Sequence, residues 1–516
     1  MRRDKRSIED TGAAAEGQRP KRQWYGKTAK RGVAWSYVRE AGTELIATPT
    51  GLILARLLTP YDFGVAASAV FFITLATRLT NFGFNLALAR IKVLRPEHTS
   101  SVFVVTLGVG ATAYAILASS GPLMASFFHA PQLTQIMPVA ALGFLITPFG
   151  TVPAALMTRN MQFRRTAMCD WIQGIAGAAT VLTLAYSGFG YWSLIYNQVA
   201  SDIAATIGKV VLSGWRPSLR FSRSAIKELF SFGAGVFAKR LLDYTAGNVD
   251  NLVVGRMLGM SALGFYDKGF VTVRRILNRL NTGGPMVSFR VLSLIYEEQE
   301  RFRNAYRKVV MATALISYPV LLGLAIIGPD LIPVMYGRRW GATIVPFQIL
   351  CISGSFKVMT DYAGSAIQAM GKIWGQVARQ VVYAVLIVLL VAGFSFWGLM
   401  GAAVGVLVAT FVMYLLMEGL LMKLTAITAR TIFEAQLPGM LCGLGVAATI
   451  GLARWLLLRH APGAAAWERL IIQCAIGALT YLVFIKFNRF GEVRRLVRDT
   501  AADLNPPFGS LVRLLA

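Results

Sequence analysis

Fourteen stretches of about 20 mostly apolar residues follow one another along the chain, at roughly 32–57, 62–89, 100–119, 134–157, 166–186, 190–212, 226–256, 261–293, 306–327, 342–369, 373–393, 396–421, 433–457 and 466–486. A helix of that length crosses the hydrocarbon core of a bilayer, and only a helix satisfies its own backbone there. The pattern predicts an all-α polytopic membrane protein. Composition agrees: 15% of the residues are charged and 55% hydrophobic, against about 25% charged in soluble domains. The connecting segments stay below about 25 residues, which leaves no room for a separate soluble catalytic domain.

Basic residues should crowd alternate loops if the spans are counted correctly. They do so in the second loop (Arg90, Lys92, Arg95), the fourth (Arg159, Arg164, Arg165), the sixth (Arg216, Arg220, Arg223, Lys227) and the eighth (Arg301, Arg303, Arg307, Lys308). The loops near 58–61, 119–133, 187–190 and 393–396 contain none. Arg338, Arg339, Arg454, Arg459 and Arg469 break the alternation. An even number of spans places both termini in the cytoplasm. The formal net charge of +27 then belongs to a cytoplasmic membrane face, and nucleic acid is not an expected partner. Residues 1–31 read as a basic cytoplasmic tail with no apolar h-region and hence no cleavable signal peptide. Residues 488–516 read as a second cytoplasmic tail.

The chain repeats itself at a shift of 200 residues. LARLLTPYDFG (54–64) falls on VGRMLGMSALG (254–264), pairing Arg56 with Arg256 and Gly64 with Gly264. Asn81, Gly83 and Arg90 fall on Asn281, Gly283 and Arg290, and GFGYWSL (188–194) matches GFSFWGL (393–399). Two six-helix lobes, 32–213 and 224–424, are expected, related by an axis along the membrane normal. Helices thirteen and fourteen (432–487) lie outside the repeat.

Paired interruptions in the two repeats point to a transporter's site. TPTG (48–51) corresponds to NVDN (248–251), and NFGFN (81–85) to NTGGP (281–285). The first, second, seventh and eighth helices, less hydrophobic than the rest, are therefore expected to line a wet cavity between the lobes. On the eighth, Lys268, Thr272, Arg275 and Arg279 form one stripe, with Arg274 beside it. A charge near the middle of a membrane helix costs about 2.5–3.5 kcal/mol even on a lenient scale. Neither Arg275 nor Arg279 has an acidic neighbour one turn away, so an external anion is the favoured explanation.

Further candidate ligand contacts are Arg78, Asn81 and Asn85 on the second helix, Lys239, Arg240 and Asn248 on the seventh, and Lys357 on the tenth. Lys239 with Asp243, and Lys357 with Asp361, read equally well as self-neutralising pairs. Glu40 and Glu44 either take up a coupling proton or neutralise Arg39; Asp243, Asp250 and Asp361 are further candidates for ion coupling. Arg56, Arg90, Arg256 and Arg290 read as snorkelling interface residues. Gly401 with Gly405, and Gly439 with Gly443, have the spacing of close helix packing. No phosphate-binding GxxxxGK[ST] loop occurs, the three histidines are scattered, and the four cysteines lie apart in apolar stretches. No cofactor, metal site or enzymatic activity is expected.

At LARLLTPYDFG, NFGFNLALAR, PAALMTRNMQFRR (153–165) and GFGYWSL, the sequence resembles the polysaccharide transporter branch of the multidrug/oligosaccharidyl-lipid/polysaccharide flippase superfamily, the exporters of lipopolysaccharide and exopolysaccharide precursors. The likeness extends over about 30–490. It implies two lobes forming a V, two extra C-terminal helices and alternating access. The implied cargo is an oligosaccharide on an undecaprenyl pyrophosphate carrier, moved from the cytoplasmic to the periplasmic leaflet of a bacterial inner membrane. Membrane lipids, a polysaccharide polymerase and export machinery are the further expected partners. A peptidoglycan-precursor flippase and a cation-coupled multidrug exporter share the fold expectation. A membrane-embedded polymerase or ligase would need a large periplasmic loop, which is lacking.

The topology is checked by an engineered Ser187→Cys in a cysteine-free background. An impermeant maleimide should label it from the periplasmic side only; labelling from the cytoplasm alone would invert the whole arrangement.

Overall fold

The computed structural model describes residues 22–80, 88, 91, 94–224, 244–487, 490, 491, 493 and 494, with the backbone alone at 22–31 and 33. Helix predominates among them, and no strand occurs. The first half comprises α1 (Arg22–Leu57), α2 (Pro60–Thr80), α3 (Pro96–Ser119), α4 (Gly121–Phe128), α5 (Leu133–Ala140), α6 (Gly143–Ile146), α7 (Pro148–Arg159), α8 (Phe163–Tyr186) and α9 (Tyr191–Ser213). The second comprises α10 (Val249–Leu258), α11 (Met260–Leu280), α12 (Gly284–Leu294), α13 (Gln299–Tyr336), a 3-10 turn at Arg338–Thr343, α14 (Ile344–Ala369), α15 (Ile373–Phe394) and α16 (Gly398–Leu424). A last pair, α17 (Ala429–His460) and α18 (Ala466–Phe487), follows.

Each of the fourteen predicted stretches contains helix. By length and composition, 8 helical segments among the described residues can cross a membrane, or 9 if the pair bent by 42° between Ile146 and Pro148 is one span. α15 and α16 are counted there as one segment, although they pack side by side. The chain is a multi-pass membrane protein.

Two of the four expected interruptions are present among the described residues. The seventh span breaks at Gly247–Asn248, and the eighth at 281–283, where Gly283 takes a positive φ of 76° and Pro285 opens α12. TPTG does not break α1, which runs through Pro49 as continuous helix. The Thr50 hydroxyl donates to Ile46 O at 2.7 Å there, a bond a helix accommodates without ending. NFGFN lies outside the described residues.

The halves meet where α2 crosses α11. A Cβ placed on Gly64 would lie 1.8 Å from Met260 O, and one placed on Gly264 would lie 1.8 Å from Pro60 O. Both contacts are related by the 200-residue shift, so the pseudo-two-fold passes between these two glycines. Only a residue without a side chain lets two backbones approach this closely. Around the crossing, side chains tie one half to the other. Trp340, fully buried, donates from Nε1 to Ala55 O at 2.7 Å. Arg56 donates to Val334 O at 3.2 Å, and Arg339 to Leu58 O at 3.4 Å. Arg256 lies 2.6 Å from His129 Nδ1 of the first half and over the Phe127 ring. Arg56 and Arg256 thus do not simply snorkel: each reaches across to the opposite half at one end of the molecule.

α13 contains three prolines, 319, 329 and 333. Proline removes the hydrogen bond to the carbonyl four residues before it. Gln348 of α14 supplies the missing donor for one of them, with Nε2 2.8 Å from Ala325 O. The last helix pair docks on α13. Gly439 abuts Ala314 and Gly443 abuts Tyr318. Asp330, 3% exposed, accepts from Arg454 at 3.0 Å, from Arg469 at 2.9 Å and from Gln473 at 3.0 Å. Arg454, Arg469 and Arg339, which break the loop-charge alternation, are therefore in use as structural contacts.

Gly64→Ala and Gly264→Ala should each destabilise the protein by at least about 3 kcal/mol, the upper part of the overpacking range, read as a lower Tm in detergent. Gly51→Ala is the control, since a Cβ there would meet nothing within 4 Å. Equal Tm values in all three would show that the crossing tolerates separation.

Candidate substrate site

The stripe of α11 divides into three parts. Lys268 Nζ lies 4.0 Å from the Phe63 ring centroid, 4.8 Å from Tyr336 and 5.4 Å from Trp340. An ammonium over aromatic faces is stabilised by the ring quadrupoles. Thr272, one turn on, shares a 2.8 Å hydrogen bond with the Tyr336 hydroxyl. The rings come from two segments, α2 of the first half and the end of α13 with the turn after it in the second, so Lys268 packs at the joint between the halves.

Arg274 turns the other way. It donates to Gly247 O at 2.9 Å and Asn248 Oδ1 at 2.6 Å, and lies over the Phe270 ring at 4.4 Å. Asn248 donates in turn to Tyr244 O at 2.7 Å. The break in the seventh span leaves a carbonyl without its helical partner, and the guanidinium satisfies it. Arg274 and Asn248 therefore hold the broken helix together.

Arg275 and Arg279 stand one turn apart and are both exposed. Arg279 NH2 lies 3.1 Å from Glu44 Oε1 on α1 of the opposite half. The second oxygen of Glu44 accepts from the Thr48 hydroxyl at 3.0 Å. The expectation that Arg279 lacks an acidic partner holds along its own helix and fails across the seam. Glu44 does not neutralise Arg39, which pairs with Asp170 at 3.4 Å. Glu40 is exposed. Arg275 makes no hydrogen bond or ion pair among the described residues.

The second half encloses a cavity of about 260 Å³ whose lining includes Arg274, Asn278, Asn281, Lys357 and Asp361. Lys357 is ion-paired with Asp361, which also accepts from Asn281 at 3.1 Å. Of the two readings of Lys357 and Asp361, the structure shows the pair. Asp250 is 1% exposed, and its Oδ2 accepts from the Tyr266 hydroxyl at 2.8 Å. Arg78, exposed on α2, lies 6.0 Å from the centroid of Tyr244, whose hydroxyl donates across the seam to Phe71 O at 3.0 Å. Asn81, Asn85, Lys239, Arg240 and Asp243 lie outside the described residues.

Two polar features were not anticipated. Glu418 of α16 is 3% exposed and accepts from the Tyr306 hydroxyl of α13 with both oxygens, each at 3.2 Å. Gln198 and Asp202 of α9 line a cavity inside the first half. A charge in an apolar span is the signal that marks Glu418 in the sequence.

Two helical halves around a pseudo-two-fold, with a terminal helix pair, define the class of protein: a membrane transporter of the flippase fold. The fold is shared with the lipid II flippase MurJ in an inward closed conformation (TM-score 0.68, 13% identity, 88% of this chain and 98% of that one). It is shared also with an inward-facing MATE-family multidrug resistance transporter (TM-score 0.59, 17% identity, 75% of this chain and 96% of that one). The family model described as "Polysaccharide biosynthesis protein" matches residues 53–345, and the chain belongs to that family. Relatives include the lipopolysaccharide biosynthesis protein WzxC of Escherichia coli K12, 23% identical over 327 residues, 62% of this chain and 66% of that one. The succinoglycan biosynthesis transport protein ExoT of Rhizobium meliloti is 26% identical over 329 residues, 63% of this chain and 66% of that one. The chain is thus a flippase-type membrane transporter of a polysaccharide biosynthesis family.

Lys268→Met keeps the packing of the aromatic box and removes the cation. It should lower stability by about 0.5–2 kcal/mol while leaving at least half of the transport rate. Loss of transport with an unchanged Tm would return Lys268 to the cargo site.

Proposed function

We propose that the chain carries a polyprenyl-diphosphate-linked oligosaccharide, the repeat unit of a lipopolysaccharide or exopolysaccharide. The carrier is undecaprenyl and the direction is from the cytoplasmic to the periplasmic leaflet of a bacterial inner membrane. The termini are cytoplasmic, so the crossing at Gly64 and Gly264 is the periplasmic end.

One observation carries this reading: among the described residues Arg275 has no anionic partner, and Arg279 one turn away is held by a partly exposed carboxylate of the opposite half. A diphosphate presents more charge and more acceptor oxygens than one carboxylate, and arginine forks bind it bidentately. Its arrival satisfies both arginines and displaces Glu44. Because Glu44 stands on α1 and Arg279 on α11, loading also removes a tie between the halves. Cargo binding and release of the seam become a single exchange, as alternating access requires. A pocket for cationic drugs would need the opposite charge. A peptidoglycan precursor offers the same diphosphate; membership of the polysaccharide family favours the repeat unit.

The experiment uses proteoliposomes holding a polyprenyl-diphosphate oligosaccharide, with access to the opposite leaflet measured over time. Arg275→Ala combined with Arg279→Ala should reduce flipping at least tenfold, the scale of two lost charge-assisted contacts. Glu44→Gln should raise affinity for the carrier lipid roughly two- to fivefold, as an exposed ion pair's competition is removed. Wild-type flipping that persists undiminished in the double variant would end the anion role. Export of a cationic dye instead of the glycolipid would favour the drug-transport reading.

A further inference from the structure

The first half contains a partly open cavity of about 240 Å³ bordered by α2, α3, α6, α7 and α9. Its polar lining has an unusual balance. The hydroxyls of Thr77, Thr106 and Thr151 donate to Ile73 O at 2.8 Å, Val102 O at 2.8 Å and Thr147 O at 3.2 Å, each on its own helix. A threonine that bonds back in this way has used its one proton, and only its lone pairs face the cavity. Gln198 donates to Asp202 Oδ2 at 3.2 Å. Asp202 makes no ion pair among the described residues, and Gly143 leaves the space beside it, since a Cβ there would lie 2.6 Å from Oδ2. The cavity therefore offers many acceptors and few free donors.

A ligand that fits must bring donors of its own. Sugar hydroxyls do so. The volume exceeds by several fold the ~30 Å³ of one water, whereas a bare cation needs oxygens drawn in to about 2.3–2.6 Å. An adjoining cavity shares Ile73, Thr77 and Gln198 and reaches Arg78, at the boundary with the second half. The two cavities thus border one another, and the second approaches the other half at Arg78, beside Tyr244.

We infer that this cavity is a sugar subsite, in which Asp202 and the back-bonded threonines accept hydrogen bonds from one pyranose unit of the cargo. The inference rests on the transport reading above and adds that the two halves divide the cargo between them, the second half taking the diphosphate on Arg275 and Arg279.

Binding is measured on the full chain in lipid nanodiscs with two probes, a polyprenyl diphosphate oligosaccharide and the same polyprenyl diphosphate without sugar. Wild type should bind the glycosylated lipid about tenfold more tightly. Asp202→Asn and, separately, Thr151→Val, which removes an acceptor at nearly constant volume, should each abolish most of that difference while leaving the sugar-free probe unchanged. Arg275→Ala should weaken both probes alike. Equal wild-type affinity for the two lipids would overturn the subsite and leave the transport reading intact, and so would variants that weaken both equally. Sodium-dependent stabilisation that vanishes in Asp202→Asn, with no effect on sugar binding, would overturn it in favour of a cation. Wild type binding neither lipid would overturn both readings together.

Discussion

Two α-carbons, those of Gly64 and Gly264, sit so close to the carbonyls of Met260 and Pro60 that a methyl group at either would overlap backbone. In lipid, helices gain little from hiding apolar surface, because the surrounding tails are as apolar as leucine; they associate through close packing and satisfied polar groups. The crossing provides the first and admits the second. It brings α1 and the 3-10 turn near enough for Trp340, Arg56 and Arg339 to bond backbone carbonyls of the other half, and it brings Phe63, Tyr336 and Trp340 around Lys268. Widening the contact by the breadth of one methyl would leave several charged groups without partners at once.

The same constraint separates the charges of α11 by role. Near the crossing, Lys268 is enclosed and stabilises one arrangement of the halves. Further along, Arg279 is half exposed and held by one carboxylate on a helix of the opposite half. Exposed pairs of this kind are worth about 0.2–1 kcal/mol, so the tie is weak enough for an incoming anion to replace it. The cationic stripe is thus graded along its length, from a fixed joint to an exchangeable contact.

Much of the architecture is legible in the sequence because hydrophobic length and loop charge act locally. The 200-residue repeat even pairs the two glycines that cross. What the chain does not disclose is which side chains meet over long separations. Arg279 and Glu44 lie far apart in sequence, and a search one turn either way cannot find them. Arg274, Arg275 and Arg279 are alike as residues, and only the break at 247–248 and the path of α1 decide that each has a different environment. TPTG resembles an interruption, yet one proline within a long helix removes a single hydrogen bond and the helix continues. Asp202 and Gln198 sit in a helix that also carries Asn197, Ser201 and Lys209, so nothing in the sequence singles them out.

Asp330 has a consequence for how the protein is made. Its donors on α17 and α18 are encoded 124 and 139 residues later. At synthesis rates of about 5–20 residues per second, Asp330 is made roughly 7 to 28 seconds before Arg469 exists. A bare carboxylate at its final depth would be expensive for that whole interval. The final two helices therefore complete the partner set of a carboxylate synthesised well before them.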